Sequence, residues 1–147
     1  MIVTIIGTGL IGGSMALTLK EKGLATKVIG VDASEQHLSQ ALALGIIDEA
    51  KSLNEAVALS DLIIIAARPG MGKTAFVLSM ARNMAVDYGH PVAFFSLEMS
   101  SVQLITRLIS SETGLSSEKL RTGKLEKHEW EQLSIKVKDL EKAPLFI

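Results

Sequence analysis

Short runs of consecutive apolar, largely β-branched residues recur along the chain, separated by longer stretches with helical spacing. Residues 1–6 (MIVTII), 27–32 (KVIGVD), 61–66 (DLIIIA) and 91–96 (PVAFFS) read as strands, and 144–147 (PLFI) as the opening of a fifth. Runs with few polar positions suit strands covered on both faces of a parallel sheet, and 61–66 is apolar enough to predict a central or double-sided strand. Between them the apolar residues fall at steps of three and four. Ile11, Met15 and Leu19 share a face of a helix over 10–22, and Phe76, Met80, Met84 and Tyr88 do the same over 73–88. Further helices are predicted over 35–44 behind a Ser34 cap, over 102–113 behind Ser100, and over 127–140, where Trp130, Leu133, Val137 and Leu140 line up. Residues 53–59 suggest one more helical turn. Strands alternating with helices predict an α/β fold with a parallel sheet and right-handed crossovers.

Composition narrows the class. The 147 residues are 48% hydrophobic and 21% charged with three prolines, enough to bury a core. A net charge of −1 gives no overall field toward nucleic acid or an anionic membrane. The absence of cysteine excludes a disulfide scaffold, a thiol nucleophile and a zinc-thiolate site. Neither apolar run is long enough to span a membrane, and residues 1–6 lack the basic leader of a secretory signal. A soluble cytoplasmic protein is expected.

Two glycine loops carry the candidate chemistry. Gly7-Thr-Gly-Leu-Ile-Gly12 is G-x-G-x-x-G between a predicted strand and a predicted helix, and Asp32 ends the next strand twenty residues beyond Gly12. In that setting Gly7 permits the tight turn, Gly9 admits a pyrophosphate to the backbone, and Gly12 lets helix and strand pack closely. The N–H groups around Leu10 and Ile11 face the ligand, and Asp32 accepts from a ribose. An acid there repels a 2′-phosphate, so NAD is favoured over NADP. The alternative is a glycine turn needed for packing alone. The second loop, Ala67-Arg-Pro-Gly-Met-Gly-Lys-Thr74, fits G-x-x-x-x-G-K-[ST] with alanine in place of the first glycine. Here Gly70 and Gly72 shape a phosphate cradle, Lys73 reaches the β and γ oxygens of ATP or ADP, and the Thr74 hydroxyl ligates Mg²⁺.

Both halves resemble known families. Residues 1–66, with Thr4-Ile-Ile-Gly-Thr-Gly-Leu-Ile-Gly-Gly-Ser14, Gly30-Val-Asp32 and Ser60-Asp-Leu-Ile-Ile-Ile-Ala66, resemble the NAD-binding half of a prephenate or arogenate dehydrogenase. Residues 61–147, with Arg68-Pro-Gly-Met-Gly-Lys-Thr74, Phe95-Ser-Leu-Glu-Met99, Leu120-Arg-Thr-Gly123 and Ala143-Pro-Leu-Phe-Ile147, resemble the RecA-like P-loop motor domain of a bacterial replicative DNA helicase. The resemblances overlap at strand 61–66. They imply a single composite domain over 1–147, a three-layer α/β/α sandwich whose Rossmann-like parallel sheet has about five strands in the order 3-2-1-4-5. The helicase fold implies a rearranged order as the alternative. The first resemblance carries cofactor roles to Gly7, Gly9, Gly12 and Asp32. The second carries phosphate roles to Gly72, Lys73 and Thr74 and the place of a catalytic glutamate to Glu98. The substrate domain of the one, and the arginine finger and DNA-binding loops of the other, belong to segments not seen here. The expectation is therefore an engineered chimera, recombinant in source and cytoplasmic by parentage. It would bind nucleotides (NAD, or ADP and ATP with Mg) without evolved catalysis, as a monomer or weak homo-oligomer with no nucleic-acid or membrane partner. Alternatives are a slow Mg-dependent ATPase and a natural fused NAD-binding oxidoreductase fragment.

The remaining candidates read as ordinary. Glu98 is a solvated strand-end carboxylate unless it orients a water beside the second loop. His37, His90 and His128 have no partner at metal-ligand spacing and are expected to face solvent, so no metal site is proposed beyond Thr74. Trp130 and Phe94-Phe95 are expected to pack in a core.

Overall fold

The computed structural model describes residues 1–147. The chain divides into two compact units, Met1–Met71 and Gly72–Ile147. It is α/β throughout, as expected, but its strands form two parallel sheets, one of four strands and one of two.

In the first unit, β1 (Ile2–Ile6), α1 (Leu10–Glu21), β2 (Lys27–Val31), α2 (Glu35–Ala43), β3 (Glu49–Ala50), α3 (Leu53–Leu59) and β4 (Leu62–Ile65) follow one another. The sheet order is β3-β2-β1-β4, all parallel, with Ile5 opposite Gly30 on one side and Ile64 on the other. This corrects the expected order. The strand taken as third by sequence lies beside β1, not beyond β2, and it is an edge strand with Leu62 and Ile63 partly in solvent rather than a central one. The third place goes to Glu49–Ala50, two residues whose polarity hid them. They are held by backbone bonds from Asp48 N–H to the Val28 carbonyl and from Lys51 N–H to the Gly30 carbonyl, and by ion pairs from Lys27 and Lys51 to Glu49. Burial of Val3, Ile5, Val28, Ala16, Ala41 and Ile47 forms the core. Helix α1 buries Gly12, Gly13 and Ala16, so Ile11 and Met15, which spacing groups on one face with Leu19, are exposed. Small residues on that face let the helix axis approach more closely than a row of large side chains permits.

In the second unit, α4 (Lys73–Arg82) runs into a π-helical turn (Asn83–Asp87). Then come β5 (Val92–Ala93), α5 (Ser101–Thr113), α6 (Ser117–Thr122), α7 (Lys127–Lys142) and β6 (Leu145–Phe146). Strand β5 is shorter than the predicted 91–96 and pairs with β6, Phe94 N–H donating to the Phe146 carbonyl at 2.7 Å. These are the fourth and fifth strands of the sequence reading. They neighbour each other as expected, but neither lies in the four-stranded sheet. The core is Leu78, Leu104 and Leu108, with Phe94, Met99, Leu140 and Leu145 against it. The apolar face that spacing groups along residues 73–88 is turned outward. Along residues 73–88 the buried positions are Leu78, Ala81 and Ala85, while Phe76, Met80, Met84 and Tyr88 are exposed; Trp130 is 50% exposed and Phe95 91%. Hydrophobic spacing reports that a helix has two faces, but with apolar residues on both it does not say which one a small core takes. No helix is long and apolar enough to cross a membrane.

Candidate nucleotide sites

The first loop leaves the carboxyl end of β1, where neighbouring strands β2 and β4 continue the chain in different directions. Such a switch point opens a crevice at the sheet edge. The glycines there have separate roles. A Cβ on Gly7, whose φ is +96°, would fall 2.2 Å from the Ala66 carbonyl oxygen. On Gly12 it would fall 2.0 Å from the Gly7 carbonyl oxygen and 2.9 Å from Ile5 Cγ2. On Gly9 it would meet no heavy atom within 4 Å. The fold therefore requires Gly7 and Gly12, and the open space at Gly9 is available to a ligand. Gly9 caps α1 without a side-chain hydrogen bond, so the first-turn N–H groups of Leu10, Ile11 and Gly12 have no intrahelical acceptor and add to the positive end of the helix dipole.

Asp32 faces the same space, its side chain 13% exposed. Its Oδ2 accepts from the Thr8 N–H at 2.8 Å and the Thr8 hydroxyl at 3.1 Å, and its Oδ1 accepts from the Ser34 N–H at 2.9 Å. Burial works to raise its pKa. The hydrogen bonds from Ser34 and Thr8, with the nearby His37, outweigh that and hold the carboxyl below the usual carboxylate range. His37 faces solvent as expected, its side chain 54% exposed, and its Nδ1 also lies 3.5 Å from Asp32 Oδ1; the Ser34 hydroxyl accepts the His37 N–H and places the imidazole in the first turn of α2. A cavity of about 330 Å³ is lined by Gly9, Gly12, Asp32 and His37, and on its far wall by Ala67 and Arg68 behind β4. Sequence reasoning identified the loop and the acid. It missed Thr8, which anchors the acid, as well as His37 and the 67–68 wall. A cap residue two positions after the acid, followed three positions on by histidine, was the available signal.

The second loop carries left-handed glycines at Gly70 (φ +77°) and Gly72 (φ +83°), and Gly72 is the N-cap of α4. Either Cβ would find open space, so these glycines are set by backbone conformation. Lys73 and Thr74 occupy the first turn and line a cavity of about 240 Å³ with Phe94, Ser96, Glu98 and Met99. Glu98 is thus brought to the same cavity as the loop residues. It stands in an exposed bend, where the Ser96 hydroxyl accepts the Met99 N–H at 3.0 Å, and not at the end of a strand. No three histidine or acidic side chains converge anywhere in the chain to hold a metal ion.

Comparison with known proteins matches two families that overlap along the chain. The family model described as DnaB-like helicase C terminal domain matches residues 45–147, and that described as NADP oxidoreductase coenzyme F420-dependent matches residues 2–87, each more than half of the chain. Among relatives, a replicative DNA helicase DnaB of Nostoc sp. is 52% identical over 88 residues, 60% of this chain and 10% of that protein. A probable replicative DNA helicase of Guillardia theta is 59% identical over 75 residues, 51% of this chain and 12% of that protein. The chain thus spans about a tenth of the length of these relatives. A crystal structure of prephenate dehydrogenase from A. aeolicus, in complex with hydroxyphenyl propionate and NAD+, is 25% identical. It covers 73% of this chain and 38% of that one, at a TM-score of 0.48.

Proposed function

We propose that this chain, which belongs to the DnaB-like helicase C-terminal family over residues 45–147 and to the coenzyme F420-dependent NADP oxidoreductase family over residues 2–87, is a nucleotide-binding fusion that performs neither parent reaction. Its first site takes the adenosine diphosphate half of NAD. The observation that carries this reading is the open approach at Gly9 beside an ionised, pre-oriented Asp32 in one cavity. In such a site the N–H groups after Gly9 would hold the pyrophosphate, and Asp32 would accept from the adenosine ribose. Bound NAD supplies hydride chemistry only to a positioned substrate. The residues around this cavity would bind and orient the cofactor. Two families meeting within one segment, residues 45–87, supports an engineered origin. Calorimetric titration with NAD and with ADP tests the site. Saturation is expected, and its absence at millimolar ligand overturns the proposal.

A second reading rests on Lys73, Thr74 and Glu98 lining one cavity. Lys73 would hold phosphate oxygens, Thr74 would ligate a magnesium ion that neutralises phosphate charge, and Glu98 would orient water for slow ATP hydrolysis. Phosphate release that vanishes in Lys73→Ala supports it; a rate unaffected by that substitution removes it.

A further inference from the structure

Within the dinucleotide reading above, which is the premise here, the Asp32 carboxylate has two claimants. Its Oδ2 accepts from both the N–H and the hydroxyl of Thr8, while its Oδ1 accepts from the Ser34 N–H alone. A carboxylate oxygen offers about two lone-pair positions, so Oδ1 is the oxygen with one left for an adenosine ribose hydroxyl. His37 reaches for the same oxygen. Its Nδ1 lies 3.5 Å from Oδ1, and its half-exposed side chain has room to turn away into solvent. An imidazolium carries a proton on both nitrogens and donates to a carboxylate. A neutral ring that keeps its proton on Nε2 turns a lone pair toward it instead, and an imidazole passes between these states within the range of about pH 5 to 8. The other charges around His37 are placed differently. Arg68 lines the same cavity and Glu35 precedes His37 in the first turn of α2. Lys27 and Glu49, on the two strands packed against α2, pair with each other at 2.7 Å, and Lys51 also pairs with Glu49. Asp32 is the acid at ion-pair distance from the imidazole.

We infer that His37 is a pH-dependent competitor of the ligand for Asp32: in mild acid its imidazolium takes the open acceptor position on Oδ1, and a bound adenosine ribose displaces it and returns its proton to solvent. Calorimetry on the full chain with NAD, whose phosphates do not titrate in this range, provides the test at about pH 8 and about pH 5.5. It is run on the unaltered protein, His37→Ala and His37→Gln, with circular dichroism to check that each is folded at both pH values. The unaltered chain is expected to bind NAD about threefold to fivefold more weakly at the lower pH, the size of a partly exposed ion pair, and in both variants that ratio is expected to shrink to within about 1.5-fold. Titrations near pH 6.5, about where an imidazole is half protonated, are repeated in buffers of different protonation enthalpy. They are expected to show a fraction of a proton released by the unaltered chain and none by the variants. Affinity that stays level or rises in acid overturns the inference and leaves the dinucleotide site standing, as does a pH dependence that both variants keep in full. Loss of binding in the variants at both pH values makes His37 a ligand contact instead of a competitor, and overturns it too. If the unaltered chain saturates with NAD at neither pH, the dinucleotide reading falls and this inference with it.

Discussion

Gly12→Ala and Gly9→Ala, two substitutions in one loop, should separate folding from binding. A methyl at residue 12 would sit 2.0 Å from the Gly7 carbonyl oxygen and 2.9 Å from Ile5 Cγ2. The first of these atoms is backbone and cannot rotate away, so α1 has to lift from β1, at the upper part of the ~1–3 kcal/mol typical of overpacking. Alanine's better helix propensity returns about 1 kcal/mol. A net loss of about 2 kcal/mol is expected, or about 10 °C in Tm for a unit of this size. At residue 9 the methyl meets nothing within 4 Å, and the backbone there (φ −68°, ψ −163°) is open to alanine. The poorer cap and the stiffer unfolded chain roughly offset each other, leaving stability within about 0.5 kcal/mol. Yet that methyl occupies the space through which a pyrophosphate reaches the N–H groups, so NAD affinity should drop by about tenfold or more. Thermal and urea unfolding followed by circular dichroism, with NAD calorimetry on the same samples, reads both effects. A Gly12→Ala chain as stable as the original would refute the packing argument. A Gly9→Ala chain with undiminished NAD affinity would refute the assignment of the loop to the ligand.

Acid should loosen the first unit through Asp32 and Asp48. Against burial, which raises it, the Asp48 carboxyl is held below its ordinary value by Lys20 and the Val28 N–H. Groups with folded pKa values below their unfolded ones stabilise fully above the unfolded value, near 4. That contribution is lost as pH falls through the lower folded values. The urea midpoint should therefore decline below about pH 4, and less steeply in Asp48→Asn; equal slopes would contradict the reasoning. In the second unit, Arg82 donates to both oxygens of Glu112 at 2.7 and 2.9 Å and also to Asp87. Arg82→Ala strands a mostly buried carboxylate and should cost about 2 kcal/mol in chemical denaturation, against no change if the network is ornamental. Ser100→Ala breaks the reciprocal cap in which the Ser100 hydroxyl accepts the Gln103 N–H and Gln103 Oε1 accepts the Ser100 N–H. A loss of about 1 kcal/mol is expected, and an unchanged unfolding midpoint would count against that cap.

Local chemistry made much of this protein legible. The strand–glycine–helix sequence at Gly7–Gly12, the acid at Asp32 and the serine caps at Ser34 and Ser100 are written in residues whose conformational and hydrogen-bonding habits hold in almost any context, and each is found in place. The same holds for Gly70 and Gly72, where a left-handed backbone demands glycine whatever surrounds it. What depends on distant residues was not legible. Glu49–Ala50 becomes a strand only because Val28 and Gly30 offer their carbonyls to its flanks, and it displaces residues 62–65 from the expected place to the free side of β1. The inward face of α1 goes to Gly12, Gly13 and Ala16 and that of α4 to Leu78 and Ala81, a competition between two apolar faces that spacing alone leaves undecided. So too with the site: sequence by itself determined the loop and its acid, because those are properties of a short stretch of backbone. Only the tertiary structure decided that Thr8 anchors that acid and that Arg68 stands in the same cavity, because long-range strand pairing brings those residues together.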